Sequence, residues 1–176
     1  VAKYSENGLE LRSHPVMLDV NSSLAGLKGV RNGIQFDTDL LGAFHIAGSG
    51  AGRESTASGL ISDLHALSKS SEISLMNYPN FSNRPNILDF NNLVFKFYVY
   101  LEVKDEPGVL ALIGKIFADH NISFDKVIQK DQLDNSNVPL VVFTDQIIES
   151  EMQIALRDLA NHPVILESKI IRIEDL

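Results

Sequence analysis

The chain has no cysteine. That excludes disulfide bonds and thiolate metal sites, and it is compatible with a reducing compartment. It also has no apolar run near the roughly 20 residues that a membrane-spanning helix needs. The start, Val1-Ala2-Lys3-Tyr4, lacks a basic segment leading into an apolar core, so no secretory signal is expected. The expected location is cytoplasmic, with no membrane partner. A basic patch is missing as well: 15 Lys and Arg are scattered against 23 Asp and Glu, for a formal charge of −8 and a pI near 5.0. Such a chain repels phosphate backbones, and nucleic acid is not an expected partner. The five histidines, His14, His45, His65, His120 and His162, show no metal-ligand spacing such as His-x-x-x-His, so no metal is expected. Asp119-Asp125 and Glu149-Glu151 read as solvated surface, and Ser49 lacks the flanking pattern of a nucleophile elbow. No internal repeat or low-complexity tract is present.

What remains is 176 residues, 44% hydrophobic, enough for one ordinary domain or two small ones. The clearest signal lies in residues 94–176. Phe95, Phe97, Val99, Leu101 and Val103 alternate with Lys96, Tyr98, Tyr100 and Glu102, the period of a half-buried strand. Pro107-Gly108 stops it. Val109, Leu112, Ile113, Ile116 and Phe117 then recur at helical spacing as far as His120-Asn121. A second strand is expected over 122–129 and a third over 138–144, joined by a polar turn at 130–137. A second helix over 149–161 ends before His162-Pro163, and a last strand covers 164–174. The order β-α-β-β-α-β is that of ferredoxin-like domains. In it the first and third strands are central and both helices cover one face. The other face shows Lys96, Tyr98 and Tyr100, open to a partner sheet or domain.

Residues 1–93 read differently. One strand is expected over 8–16 and another over 40–47, with Asp37-Thr38-Asp39 as a turn. The latter strand runs into Gly48-Ser49-Gly50-Ala51-Gly52-Arg53, the densest glycine cluster of the chain. Glycine lets a ligand approach the backbone, and amides at a helix start bind anions. The loop feeds a helix over 55–68, capped by Ser55 or Thr56, with Leu60, Ile61, Leu64 and Leu67 on one face. A cofactor phosphate fits here; so does a plain strand-to-helix turn with no ligand. Residues 69–93 turn to Ser, Asn and Pro and read as a surface linker.

Two resemblances follow from these residues. Asp105-x-Pro107-Gly108-Val109-Leu110, the helix through Phe117 and the Asn121-Ile122-Ser123 strand entry resemble the ACT domain, an amino-acid-sensing module. His14-Pro15-Val16-Met17-Leu18, Leu24-Ala25, Gly29-Val30-x-Asn32, Gly48-x-Gly50-Ala51-Gly52-Arg53, Thr56-Ala57-Ser58 and Asp63-Leu64 resemble the carboxyl-terminal part of homoserine dehydrogenase. Bacterial members place an ACT domain directly after this region. Two details depart from the family: Ser55 stands where many members have proline, and Asn21-Ser22-Ser23 replaces a proline-bearing turn.

The resemblance implies an α+β chain: residues 1–68 as part of the catalytic-domain sheet, 69–93 as linker, and 94–176 as a ferredoxin-like βαββαβ ACT domain. It implies that Gly48, Gly50, Ala51 and Gly52 contact NAD(P) in the intact enzyme. No Rossmann domain, Gly-x-Gly-x-x-Gly loop or catalytic lysine has a counterpart in the sequence, so this chain alone is expected to hold no dinucleotide and to be inactive. Its expected role is regulatory, with threonine as the implied effector, isoleucine as an alternative, and a homodimer formed through paired ACT domains. At the 105–108 corner the helix-start amides after Pro107 (Gly108, Val109 and Leu110) suit a carboxylate. Asp105 suits an ammonium group, and Ser123 the effector's side chain. The competing expectation is that Asp105 caps the helix and Pro107-Gly108 merely turns the chain. A stand-alone binding or dimerisation module remains the alternative to the sensor.

Overall fold

The structure, a computed structural model, describes residues 1–69, 85–129 and 137–175. They fall into two compact units: Val1–Met17 with Pro85–Asp175, and Leu18–Arg84.

The larger unit begins with a hairpin of β1 (Ala2–Ser5) and β2 (Gly8–Leu11), followed by β3 (Val16–Leu18). The single strand expected over 8–16 is therefore two, broken at Ser13-His14-Pro15, where proline supplies no backbone donor. The second unit contains β4 (Arg31–Thr38), β5 (Gly42–Ser49) and α1 (Arg53–Lys69). The larger unit resumes with a 3-10 turn at Phe90–Asn92. It continues through β6 (Val94–Lys104), α2 (Val109–Asp119), β7 (Phe124–Gln129), β8 (Asn137–Thr144), the two-residue β9 (Ile147–Ile148), α3 (Glu149–Ala160) and β10 (Ile165–Glu174). Its main sheet runs β3-β10-β6-β8-β7, and β9 pairs with β6. The first and third strands of the βαββαβ set, β6 and β8, are central, as that topology requires.

Alternation along β6 puts Phe95, Phe97, Val99, Leu101 and Val103 into the core. Ile113 and Phe117 of α2 and Met152, Ala155 and Leu159 of α3 close over them, all with no exposed surface. Each large apolar side chain buried in this way contributes about 2 kcal/mol. The end of α2 is set by a local motif: the Asn121 amide donates to Ala118 O at 3.0 Å, and that of Ile122 to Phe117 O at 2.9 Å. Asn121 takes φ 55°, the left-handed conformation such helix ends need, and buried Ile122 packs beside Phe117 in the usual apolar contact. Entry into β7 is thereby fixed.

In the second unit β4 and β5 form a two-stranded antiparallel ribbon, Ile34 opposite Ile46 and Phe36 opposite Phe44. Helix α1 starts at Arg53, two residues before the expected start. Ser55 is therefore not the cap; its hydroxyl lies inside the first turn and donates to Gly52 O at 3.1 Å. The face carrying Leu60, Ile61, Leu64 and Leu67 is exposed, and no residue of α1 is buried.

Candidate functional site

The site is the corner between β6 and α2. Strand β6 ends where the Lys104 amide donates to Val164 O at 3.0 Å. The chain then tightens, Glu106 N donating to Lys104 O at 3.0 Å and Val109 N to Glu106 O at 3.3 Å. Gly108 is the residue flanking the start of α2, with φ 92° and ψ −9°, and no side chain caps the helix from that position. A side chain would strain this backbone. Gly108, Val109 and Leu110 at this helix start line a pocket of about 160 Å³.

Three elements make the pocket walls. Lys104, Asp105, Glu106, Gly108, Val109 and Leu110 come from the corner; Gln129 ends β7; Val103, Val138 and Leu140 form an apolar floor. The volume lies below the roughly 300–1,000 Å³ of sites for drug-sized ligands, so a small molecule is the right scale. The lining carries groups of both charge signs. Helix-start amides and Lys104 favour an anion, the Asp105 and Glu106 carboxylates favour a cation, and the floor takes a short aliphatic group.

Of the residues that the sequence singles out, Asp105, Gly108, Val109 and Leu110 line one pocket, and Pro107 lies in the turn between them. Ser123 does not join them. Its carbonyl accepts from Asp145 N at 3.0 Å, beside the Phe124–Thr144 pairing, whereas Gln129 pairs with Leu140 at the pocket end. Six residues of strand put Ser123 roughly 20 Å away. Gln129 holds the position instead, a residue that no local motif marks and that strand register alone brings in.

A second pocket, about 260 Å³, lies where α2 and α3 end, lined by Ile116, Asp119, His120, Asp158, Asn161 and His162. His120 Nε2 stands 2.8 Å from Asp158 Oδ2, and its Nδ1 3.9 Å from Glu151 Oε2. Although larger, it is the poorer home for a carboxylate, because two acids and two negative helix ends surround it. Among the described residues no group of three or more His, Cys, Asp or Glu is placed to hold a metal ion.

The glycine cluster sits at the junction of β5 and α1. The Gly50 amide donates to Val30 O at 2.8 Å, and a Cβ at Gly50 would lie 2.0 Å from Asn32 Nδ2. Gly52 has φ 122° and its carbonyl accepts from Thr56 N at 3.0 Å. Local packing thus accounts for Gly50 and Gly52, whereas Gly48 has open space where its Cβ would be. The arrangement fits the approach of an anionic or planar cofactor group to Gly48 and to the amides after Ala51, which is a backbone-only contribution to any dinucleotide site.

The larger unit therefore has the ferredoxin-like fold and the strand-helix corner of an ACT domain, and residues 97–162 match the family model for the ACT domain. Residues 1–65 match the family model for homoserine dehydrogenase. Homoserine dehydrogenase of Helicobacter pylori is 31% identical over 176 residues, covering 99% of this chain and 42% of the relative. That of Neisseria gonorrhoeae is 28% identical over 163 residues, covering 89% of this chain and 38% of the relative. The crystal structure of a homoserine dehydrogenase from Thiobacillus denitrificans superposes with a TM-score of 0.80 at 28% identity, over 99% of this chain and 41% of that one. The chain carries the carboxyl-terminal region of the homoserine dehydrogenase family together with its ACT domain, and it spans about two-fifths of the length of the relatives it matches.

Proposed function

We propose that this chain is the regulatory, carboxyl-terminal portion of an NAD(P)-dependent homoserine dehydrogenase, and that its ACT corner senses a free amino acid, threonine in the first place. The observation that carries the reading is Gly108, whose φ of 92° opens the start of α2 onto the pocket beside Asp105. In this reading the amides of Gly108 and Leu110 take the effector's carboxylate, Val109 lines the pocket while its own amide stays on Glu106 O, and Asp105 takes the ammonium. Pro107 holds the turn, and Val138 and Leu140 meet the side chain. Gln129 stands where Ser123 was expected to act. A β-branched amino acid of threonine's size suits the 160 Å³ pocket; isoleucine is the larger competitor. ACT domains of two chains pair in a homodimer, which also covers strand edges that a monomer leaves open.

NAD(P) belongs to the intact enzyme, where it carries hydride between homoserine and aspartate semialdehyde. Gly48, Gly50, Ala51 and Gly52 contribute backbone to its site, and the rest of that site lies on residues outside this chain's sequence. Alone the chain turns over no homoserine, and its setting is the cytoplasm, with amino-acid biosynthesis.

Isothermal calorimetry with threonine, isoleucine and serine tests the sensor. Saturable heat with threonine at millimolar concentration or below, weaker with serine, is expected. No heat with any of the three sinks the sensor reading and leaves a dimerisation module as the alternative.

A further inference from the structure

Among the described residues that line the 105–110 pocket, Gln129 alone is polar without carrying a charge. Strand register puts it there. Gln129 pairs with Leu140, and Leu140 with Leu101; cross-strand partners share a face of the sheet. Leu101 and Leu140 lie in the core with Ile113 and Phe117 of α2, so Gln129 ends a row on the face that α2 covers. The row is apolar up to that point, with Leu101 and Leu140 0% and 4% exposed. Gln129 itself is exposed, and its carboxamide makes no hydrogen bond to a described residue. The amide therefore holds nothing within the described fold, and a leucine would simply continue the row.

The rest of the lining reads little of an amino acid's side chain. In the functional reading above, the corner meets the carboxylate and ammonium, which every amino acid carries. The floor of Val103, Val138 and Leu140 is apolar. Threonine and valine have the same shape, one bearing a hydroxyl where the other bears a methyl, and an apolar pocket rejects such an added hydroxyl only weakly. A carboxamide donates through its nitrogen and accepts through its oxygen, the same two capacities as a hydroxyl. We propose that Gln129 selects the effector by hydrogen-bonding a side-chain hydroxyl, so that the pocket prefers β-hydroxy amino acids to their aliphatic isosteres. The inference rests on the sensor reading for its ligand; the place of Gln129 beside the floor does not depend on it.

Calorimetry on the full chain tests this with L-threonine, L-valine and L-allothreonine, in which hydroxyl and methyl exchange places on Cβ. Threonine should bind about fivefold or more tighter than either of the others, the scale of one neutral hydrogen bond. Gln129→Leu should bring threonine down to the affinity of valine and leave valine within about twofold of its original value. Gln129→Glu, which still accepts from a hydroxyl, should keep threonine ahead of valine, whatever its added charge does to both. Equal binding of threonine and valine by the unaltered chain overturns the proposal, and so does a Gln129→Leu variant that keeps their ratio. Those outcomes leave the sensor standing with an unselective floor. No heat with any of the three amino acids removes the sensor reading itself, and selection by Gln129 falls with it.

Discussion

Arg172 and Glu149 grip each other at the start of α3, with Arg172 Nε donating to Glu149 Oε2 at 2.7 Å and a second contact between Nη2 and Oε1. Glu149 is 2% exposed, and the guanidinium lies 4.9 Å from the centre of the Phe90 ring. The pair joins the last strand to a helix start, where a carboxylate is also favoured by the helix dipole. Arg172→Ala leaves that carboxylate buried without its cation. Urea unfolding should show a loss of about 3 kcal/mol, whereas exposed Lys169→Ala should change stability little.

Glu174 and Arg12 make a second buried contact between residues 162 positions apart, and Lys3 also donates to Glu174. Burial pushes the Glu174 carboxyl up, but the hydrogen bonds from Lys3 and Arg12, with their positive charge, outweigh it and hold the pKa below the ordinary 4.5. A depressed pKa stabilises the fold above the unfolded-state value and loses that contribution as pH falls through the folded-state value. Thermal unfolding should therefore show a stability loss below about pH 4.5 that Glu174→Gln lacks. An identical acid limb in the variant would contradict the assignment.

Gly108→Ala places a Cβ in open space, so its cost is backbone strain alone. About 1–2 kcal/mol is expected, small enough for the unit to stay folded. Threonine affinity should fall by more than tenfold, because the amide fan of α2 changes direction. A variant destabilised by that amount with unaltered threonine affinity would show that the corner is structural only.

At Gly50 the obstacle is a neighbour rather than φ. Gly50→Ala meets the end of the exposed Asn32 side chain, which has room to turn aside, so differential scanning fluorimetry should report only a small drop in Tm. Asn32→Ala in the same chain should recover most of the loss, since non-additivity is expected of residues in contact. Gly48→Ala, with nothing within 4 Å, should leave Tm alone and register only where a cofactor or further polypeptide approaches.

The ACT unit was legible because its information is local and periodic. Five alternating apolar residues of β6 and the 3.6-residue spacing of α2 each report burial on one side, and Asn121 and Pro163 mark the helix ends. What eluded the sequence is what register and distance decide. Gln129 reaches the pocket through its pairing with Leu140, which nothing near Gln129 in sequence announces. The packing of Val1–Met17 with residues 85–175 brings Arg12 to Glu174 across most of the chain. In α1 the apolar stripe was visible, yet periodicity says only that a face wants cover, and here the face is bare.

The most direct test of the central claim is a pair of amide nitrogen–proton correlation spectra of the labelled chain, with and without saturating threonine. Shifts should concentrate at Gly108, Val109, Leu110 and Gln129, with Ser123 and the His120–Asp158 end of the unit unmoved. Shifts confined to that opposite end, or none at all, would contradict it.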